Sequence, residues 1–288
     1  MVDLGTPRVK PGTVFYKLTG SGNDFVALDG RYVAVEQVTP SLVVAICDRR
    51  HGAGADGVIL LDSHTGPDVH FSFHFWNSDG SEGPMCGNGA LCATRLATVL
   101  GFAPPDGEVR FSTHAGIHRG WVMQENRSEI ALPDCPLPTA LPAVAIQLGE
   151  RTPMVATPSV PHLVLEVDDL DAVDLPSRGP RLRHDPALGP GGANVDWVAA
   201  AGDATWRMRT YERGVEAETS ACGTGAVACA LSLGVLGKAT SPVRIWTRGG
   251  LPLDVSWTAR GNRAASIRLS GEGRVVFRGI LGSLPSPR

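Results

Sequence analysis

Lysine is almost missing from this 288-residue chain: Lys10, Lys17 and Lys238 account for all of it, and the rest of the positive charge is arginine. With a formal net charge of −3 there is no basic field of the kind that gathers nucleic acid or an anionic lipid surface, which sets both aside as partners. No apolar run approaches the roughly 18 residues that cross a bilayer, so no membrane span is expected. The opening residues, Met-Val-Asp-Leu-Gly, hold no basic segment leading into an apolar one, so the expectation is a cytoplasmic protein without a signal peptide. In that compartment Cys47, Cys86, Cys92, Cys135, Cys222 and Cys229 are expected as reduced thiols and not as a disulfide framework. No Cys-x-x-Cys spacing occurs, which argues against a zinc site built from Cys86, Cys92, Cys222 and Cys229. The glycine phrases beside the cysteines lack the dinucleotide-binding spacing, which argues against a simple Rossmann unit.

What the chain does contain is one phrase written twice. Cys86-Gly87-Asn88-Gly89 is answered by Cys222-Gly223-Thr224-Gly225, close to half a chain length later. Each cysteine opens a small-residue turn into an apolar, Ala-rich stretch of helical spacing, Ala90 to Leu100 and Ala226 to Leu236, and each stretch stops at a glycine, Gly101 and Gly237. A duplicated, two-lobed architecture follows naturally. Around these helices lie many short strands, so the fold class is α+β with mostly antiparallel sheet. Hydrophobic residues at 43% and charged residues at 19% are ordinary for a soluble domain.

Several other segments carry expectations. Residues 14–29 suggest strand, glycine turn and strand, with Asn23 capping its own backbone in an ordinary hairpin. A helix is expected at 41–48. Residues 69–76 alternate, so that Val69, Phe71, Phe73 and Phe75 face a core while His70, Ser72, His74 and Trp76 face away. His70 and His74 share that face, but no third ligand of matching placement is visible, so they are expected as solvated histidines and not as a metal site. The polar turn Asn77 to Glu82 leaves this strand, with Pro84 just before Cys86. The proline-rich stretch Pro133 to Pro142 suggests a crossing between lobes. Residues 176–193, rich in Pro, Gly and Arg, suggest a loop. Glu212-Arg213, taken alone, is a surface ion pair.

A helix start offers unpaired N–H groups and about half a positive charge, which favours a thiolate placed there and a small anion beside it. One such element suggests a nucleophile or an anion site. Two matched ones suit inversion of a stereocentre, where a base on one face and an acid on the other exchange roles with reaction direction. Cys92, Cys229, Cys47 and Cys135 lack polar company and are expected as small buried hydrophobes. A cysteine hydrolase would leave the duplication unexplained.

The phrases GSGNDF (20–25), GAGADG (52–57), NSDGSEGPMCGNGALC (77–92), PH (161–162), NVDWV (194–198) and ERGVEAETSACGTGA (212–226), together with GEGRVVFRGIL near the end, resemble diaminopimelate epimerase across nearly the whole chain. The resemblance implies two pseudo-symmetric lobes of mixed sheet, each around a central helix: residues 1–132 with a returning strand at 274–288, and residues 133–273. It implies pyridoxal-independent interconversion of LL- and meso-2,6-diaminopimelate, a small amino-acid substrate, without cofactor or metal, in lysine and peptidoglycan-precursor synthesis. The scarcity of lysine agrees. Carried over, Cys86 and Cys222 become the acid/base pair, and His162 and Glu212 tune their protonation. Gly87, Asn88, Gly223 and Thr224 would hold the reacting carboxylate, with Asn23 near the reacting centre. Asn77, Asn194, Glu212 and Arg213 would hold the distal amino and carboxyl groups, Arg213 as a forked partner. Two positions depart from the family: Val160, where many members have asparagine, and Gly57, where some have glutamine. Both bear on the distal end of the substrate. A racemase or epimerase of the same fold acting on another amino acid, and a non-catalytic small-molecule binder, stay open as alternatives. A homodimer is one admissible assembly.

Overall fold

The computed structural model describes residues 9–64, 66–83, 85–124 and 126–284. Residues 1–8 and 285–288 of the expected first lobe, and Pro84 ahead of Cys86, lie outside the described residues. The chain divides into two compact units, Met1–Ile130 with Glu272–Arg288, and Ala131–Gly271.

In the first unit, β1 (Val14–Gly20) and β2 (Asn23–Asp29) form a hairpin. Helix α1 (Pro40–Cys47) follows, its first turn capped by Thr39, whose hydroxyl accepts from the Leu42 amide at 3.3 Å. It carries the chain across to β3 (Gly57–Ser63), which runs parallel to β2 and so requires such a crossover. Strand β4 (Phe71–Asn77) pairs antiparallel with β3, and the short β5 (Glu82–Gly83) folds back on the end of β4. Helix α2 (Gly87–Val99) comes next, then β6 (Glu108–Thr113), β7 (Gly116–Val122) and β8 (Arg127–Ala131). Strand β6 lies parallel to β4, and β7 and β8 continue antiparallel. The segment Arg274–Ile280 pairs antiparallel with β1.

Strand β3 is apolar along most of its length because both faces of the sheet are covered. Val58 and Leu60 join Val43 and Ile46 of α1 in one cluster, while Ile59 faces the first turn of α2 at Gly89. Trp76 belongs to the α1 cluster and is buried, which corrects its expected place on a solvated face. The alternation of β4 is real, but α1 covers the face on which water was expected.

In the second unit, β9 (Cys135–Pro136) and β10 (Thr139–Ala140) are short, and β10 pairs with β11 (Arg151–Ala156). Strand β12 (His162–Glu166), helix α3 (Leu175–Arg183), β13 (Asn194–Gly202) and β14 (Thr205–Glu212) follow. The chain then forms β15 (Ala217–Thr219), helix α4 (Gly223–Val235), β16 (Val243–Trp246), β17 (Pro252–Arg260) and β18 (Arg263–Glu272).

The two units repeat one topology. Pairing along β1, β2, β3, β4, β6, β7 and β8 is antiparallel, parallel, antiparallel, parallel, antiparallel, antiparallel. The same series runs along β11, β12, β13, β14, β16, β17 and β18. Helices α2 and α4 occupy equivalent places, each packed against several strands of its own unit. So do α1 and α3.

Helix α3 corrects the expectation of a loop over 176–193, where a 3₁₀ turn at Pro186–Leu188 is also present. The parallel pair β12–β13 needs a crossover, and α3 supplies it despite Gly179 and Pro180. Asp174 caps its start by accepting from Ser177 N at 3.4 Å, and Leu175 and Leu182 pack with Leu163, Val195 and Trp197. Its anchor is ionic. Buried Arg178 donates to Glu150 through Nε at 2.9 Å and Nη2 at 2.6 Å, and Trp197 Nε1 donates to the same carboxylate at 3.0 Å. Burial alone would raise the Glu150 carboxyl, but Arg178, the Gln147 amide and Trp197 together hold it below its ordinary value. Glu150→Ala leaves a buried guanidinium without its partner and is expected to cost about 3–5 kcal/mol in urea unfolding. A loss below about 1 kcal/mol would mean that the pair does not anchor α3.

Candidate active site

Both central helices begin at once after their cysteine, so Gly-Asn-Gly and Gly-Thr-Gly are the first helical turn itself and not a turn that precedes it. Cys86 caps α2 with φ −125° and ψ 119°, and Cys222 caps α4 with φ −131° and ψ 110°. Each sulfur accepts from the third amide of its helix at 3.4 Å, Gly89 for Cys86 and Gly225 for Cys222. Helix geometry leaves the amides of Gly87 and Asn88, and of Gly223 and Thr224, without an acceptor inside the helix. Each sulfur therefore stands next to two orphan donors at the positive end of a helix dipole. The helices end as the sequence suggests, on Gly101 at φ 75° and Gly237 at φ 68°.

In the first unit, Asn23 does not cap its own backbone. Its Nδ2 donates to Asp56 Oδ2 at 3.0 Å, and its Oδ1 accepts from Asn88 Nδ2 at 2.7 Å. The orientation of both amides follows from Asp56. A carboxylate accepts and cannot donate, so Asn23 must turn its nitrogen there and its oxygen to Asn88. Asn88 must then turn its own nitrogen to Asn23, which leaves Asn88 Oδ1 buried and without a hydrogen-bond partner. Arg49 Nη2 fixes the acids by reaching Asp56 at 2.6 Å and Asp24 at 2.7 Å. Burial would raise Asp24, but Arg49 and Lys17 hold it below its ordinary value. Gly20 allows β1 to pass beneath α2: a Cβ there would meet Cys92 Sγ at 2.7 Å and the Asn88 carbonyl at 2.8 Å. Asn77 is exposed and spends its carboxamide on its own turn, donating to Ser81 Oγ at 3.0 Å.

In the second unit, fully buried His162 lies between Asp196 and Thr224. Its Nδ1 is 2.7 Å from Asp196 Oδ2, and its Nε2 is 3.0 Å from Thr224 Oγ1. Asp196 also accepts from Thr210 Oγ1 at 2.6 Å. Asp196 Oδ2 accepts the hydrogen bond from Nδ1–H, which leaves Nε2 as the acceptor for the Thr224 hydroxyl. Thr224 Oγ1 in turn lies 3.5 Å from Cys222 Sγ. His162 thus reaches the thiol through a hydroxyl, along the line Asp196, His162, Thr224, Cys222. Gly225 makes room for it, since a Cβ there would meet Asp196 Oδ1 at 2.6 Å.

Asn194 sits beside this line with both ends of its amide occupied. Its Oδ1 accepts from Arg213 N at 2.7 Å, and its Nδ2 faces His162 Nε2 at 3.3 Å and the Pro161 carbonyl at 3.4 Å. The half-buried Arg213 guanidinium makes, among the described residues, one long contact to the Gly191 carbonyl, at 3.5 Å.

The helix start alone leads one to expect a lowered thiol pKa. At Cys222 the opposite holds. Burial pushes it well above its ordinary value, the negative charges of Glu212 and Asp196 act the same way, and Thr224 and the Gly225 amide offset only part of this. Cys222 is therefore a thiol and not a thiolate. Burial likewise raises Glu212 above its ordinary value, with Thr219 and His162 opposing and Asp196 adding to it. Cys47, lifted by burial to about 12, and Cys92 and Cys229, lifted well above their ordinary value, are inert.

Sequence reasoning misses Asp56 and Asp196, the two acids that orient everything else. Both lie inside motifs it singles out, GAGADG and NVDWV, and Asp196 carries a visible signal: a charge amid the apolar residues of a buried strand.

The chain matches the model of a family described as diaminopimelate epimerase over residues 15–131 and 154–276. A curated diaminopimelate epimerase of Gemmatimonas aurantiaca is 41% identical over 285 residues, covering 94% of this chain and 99% of the relative. One from Aquifex aeolicus is 35% identical over 275 residues, covering 93% and 97%. A phenazine biosynthesis protein of the PhzF family from Bacillus anthracis shares the fold, with TM-score 0.73 at 10% identity, over 94% of this chain and 99% of that one.

Proposed function

The chain belongs to the diaminopimelate epimerase family, and on that premise we propose that it interconverts LL- and meso-2,6-diaminopimelate, without pyridoxal phosphate, by proton transfer between two cysteines. The observation that carries this reading is the duplicated helix start, the same cap angles and the same sulfur-to-amide distance at Cys86 and Cys222. Inversion requires one thiol on each face of the reacting carbon. In one direction the Cys86 thiolate takes the Cα proton, the C–H electron pair moves toward the carboxylate, and the Cys222 thiol delivers its proton to the other face. The raised Cys222 suits the donor. Amides at the helix starts offset the charge that builds on the carboxylate. Asn88 Oδ1, buried and unpaired, awaits an N–H donor, which the substrate's α-ammonium supplies.

The reverse direction needs Cys222 as base. Its proton can pass to the Thr224 hydroxyl while that hydroxyl passes its own to His162 Nε2, and Asp196 stabilises the imidazolium. Arg213, with its fork barely engaged, suits a distal carboxylate. The proposal also places the enzyme in the cytoplasm, where its thiols stay reduced, in lysine and peptidoglycan-precursor synthesis, and takes a homodimer as its assembly. No helix among the described residues is long and apolar enough to cross a membrane.

Two positions favour a second reading, a racemase or epimerase acting on another amino acid. Val160 cannot hydrogen-bond through its side chain. At Gly57 a Cβ would meet the Trp76 carbonyl at 2.6 Å, so that site has no room for a ligand-binding side chain. Chiral chromatography of purified enzyme, without added pyridoxal phosphate, against LL-diaminopimelate, lysine, ornithine, histidine and glutamate separates the two readings. Conversion of diaminopimelate is expected to exceed every other by at least about 100-fold in kcat/KM. Preference for another amino acid would replace the substrate but keep the chemistry.

A further inference from the structure

His70 and His74, which share a face in the sequence alternation, are parted by the fold, His70 lying just ahead of β4. His70 Nδ1 accepts from the Arg110 amide at 2.9 Å and is spent there. His74, by contrast, gains two partners that its own strand does not reveal. Strand β5 pairs Glu82 directly with Trp76, and paired residues point to the same side of a sheet, as do residues two apart on one strand. Glu82 therefore joins the face of Trp76 and His74. On the other side, β6 runs parallel to β4 and delivers His114 just past its last residue. A ligand atom from each of His74, Glu82 and His114 lies within 4.8 Å of the others.

We propose that His74, Glu82 and His114 form a binding site for a borderline divalent transition-metal ion, Zn2+ being the type. Two imidazoles and a carboxylate are the donor set such ions prefer, and three protein ligands leave a fourth position to water. Ligands about 2.1 Å from a tetrahedral ion stand about 3.4 Å apart, and His114 Nδ1 is 3.5 Å from Glu82 Oε1. The His74 and His114 rings meet edge to face at 82°, with centroids 6.3 Å apart, so small side-chain rotations converge their nitrogens. His74 is already oriented by stacking on Trp76 at 6.0 Å. Glu82 lies in the short segment joining Asn77 to Cys86, so the bound ion ties the approach to α2 onto β4 and the end of β6.

The test is titration calorimetry of Zn2+ into the full chain carrying Cys86→Ala and Cys222→Ala, which removes the site thiols as competing ligands. One equivalent is expected to bind. Glu82→Gln and His114→Ala, made separately in that background, are expected to weaken binding at least about tenfold. Both side chains are exposed, so far-UV circular dichroism in EDTA should match the parent and exclude unfolding. Co2+ in the same protein should absorb in the visible without a thiolate charge-transfer band. Affinity unchanged by both substitutions, a persistent thiolate band, or no binding at millimolar Zn2+ would each overturn the assignment.

Discussion

Cys86→Ala and Cys222→Ala are each expected to lower kcat/KM for diaminopimelate epimerisation by about 10⁴-fold or more, in both directions. Neither substitution empties the site of its other means of binding. The amides of Gly87, Asn88, Gly223 and Thr224 belong to the backbone, and the Asn23–Asn88 pair is held by Asp56 and not by a thiol. KM should therefore move much less than kcat. Because the overall equilibrium belongs to the substrates, the loss must be equal in the two directions. What separates the variants is residual exchange of the Cα hydrogen with solvent. An enzyme with one remaining thiol can still remove a proton, trade it slowly with solvent and return a solvent proton on that thiol's face, so over long incubation each variant should exchange one epimer and leave the other untouched. Exchange of both epimers by either variant, or epimerisation within about tenfold of wild type, would contradict a base on each face.

Asp196→Asn should be nearly as damaging, at about 10³-fold in kcat/KM, although it keeps the number of heavy atoms and stands two side chains away from the Cys222 thiol. With asparagine there, an amide N–H can face Nδ1, which favours the ring tautomer protonated on Nε2. That nitrogen can then no longer accept from Thr224 Oγ1, now 3.0 Å away, and the route from Cys222 closes. His162 and Asp196 are both fully buried, so water does not restore the lost arrangement. A purely structural role for Asp196 would show as lower stability with the kinetics of the folded fraction unchanged. The expectation here is lower kcat, a smaller change in KM and an altered pH profile. Thr224→Val, which keeps the shape and the backbone amide but removes the hydroxyl, should reproduce the altered profile in weaker form.

The parts of the site that were legible in the sequence are those set by local chemistry. A cysteine before Gly-x-Gly and an Ala-rich stretch reads locally as a helix start, and α2 and α4 begin there. What was illegible depends on partners far along the chain. Asn23 suggests a self-capping hairpin until Asp56 and Asn88 come to it from 33 and 65 positions away. Helix α3 hides behind Gly179 and Pro180, because its stability comes from Glu150 and from the β12–β13 crossover and not from local propensity. Trp76 alternates as a polar-face residue should, yet α1 covers it. At Cys222 the local and the global pull in opposite directions: the helix start favours the thiolate, burial favours the thiol, and burial wins. Glu82 and His114 show the same principle, since only the pairing of β4 with β5 and β6 brings them to His74.

The two-thiol reading is tested most directly by running LL-diaminopimelate with purified enzyme in D2O and analysing both pools early, before the reverse reaction matters. The account predicts meso product carrying deuterium at the inverted carbon, delivered from one thiol, while the recovered LL substrate still carries hydrogen returned by the other. Product that retains hydrogen at that carbon, or deuterium appearing equally fast in the unreacted substrate, would contradict it.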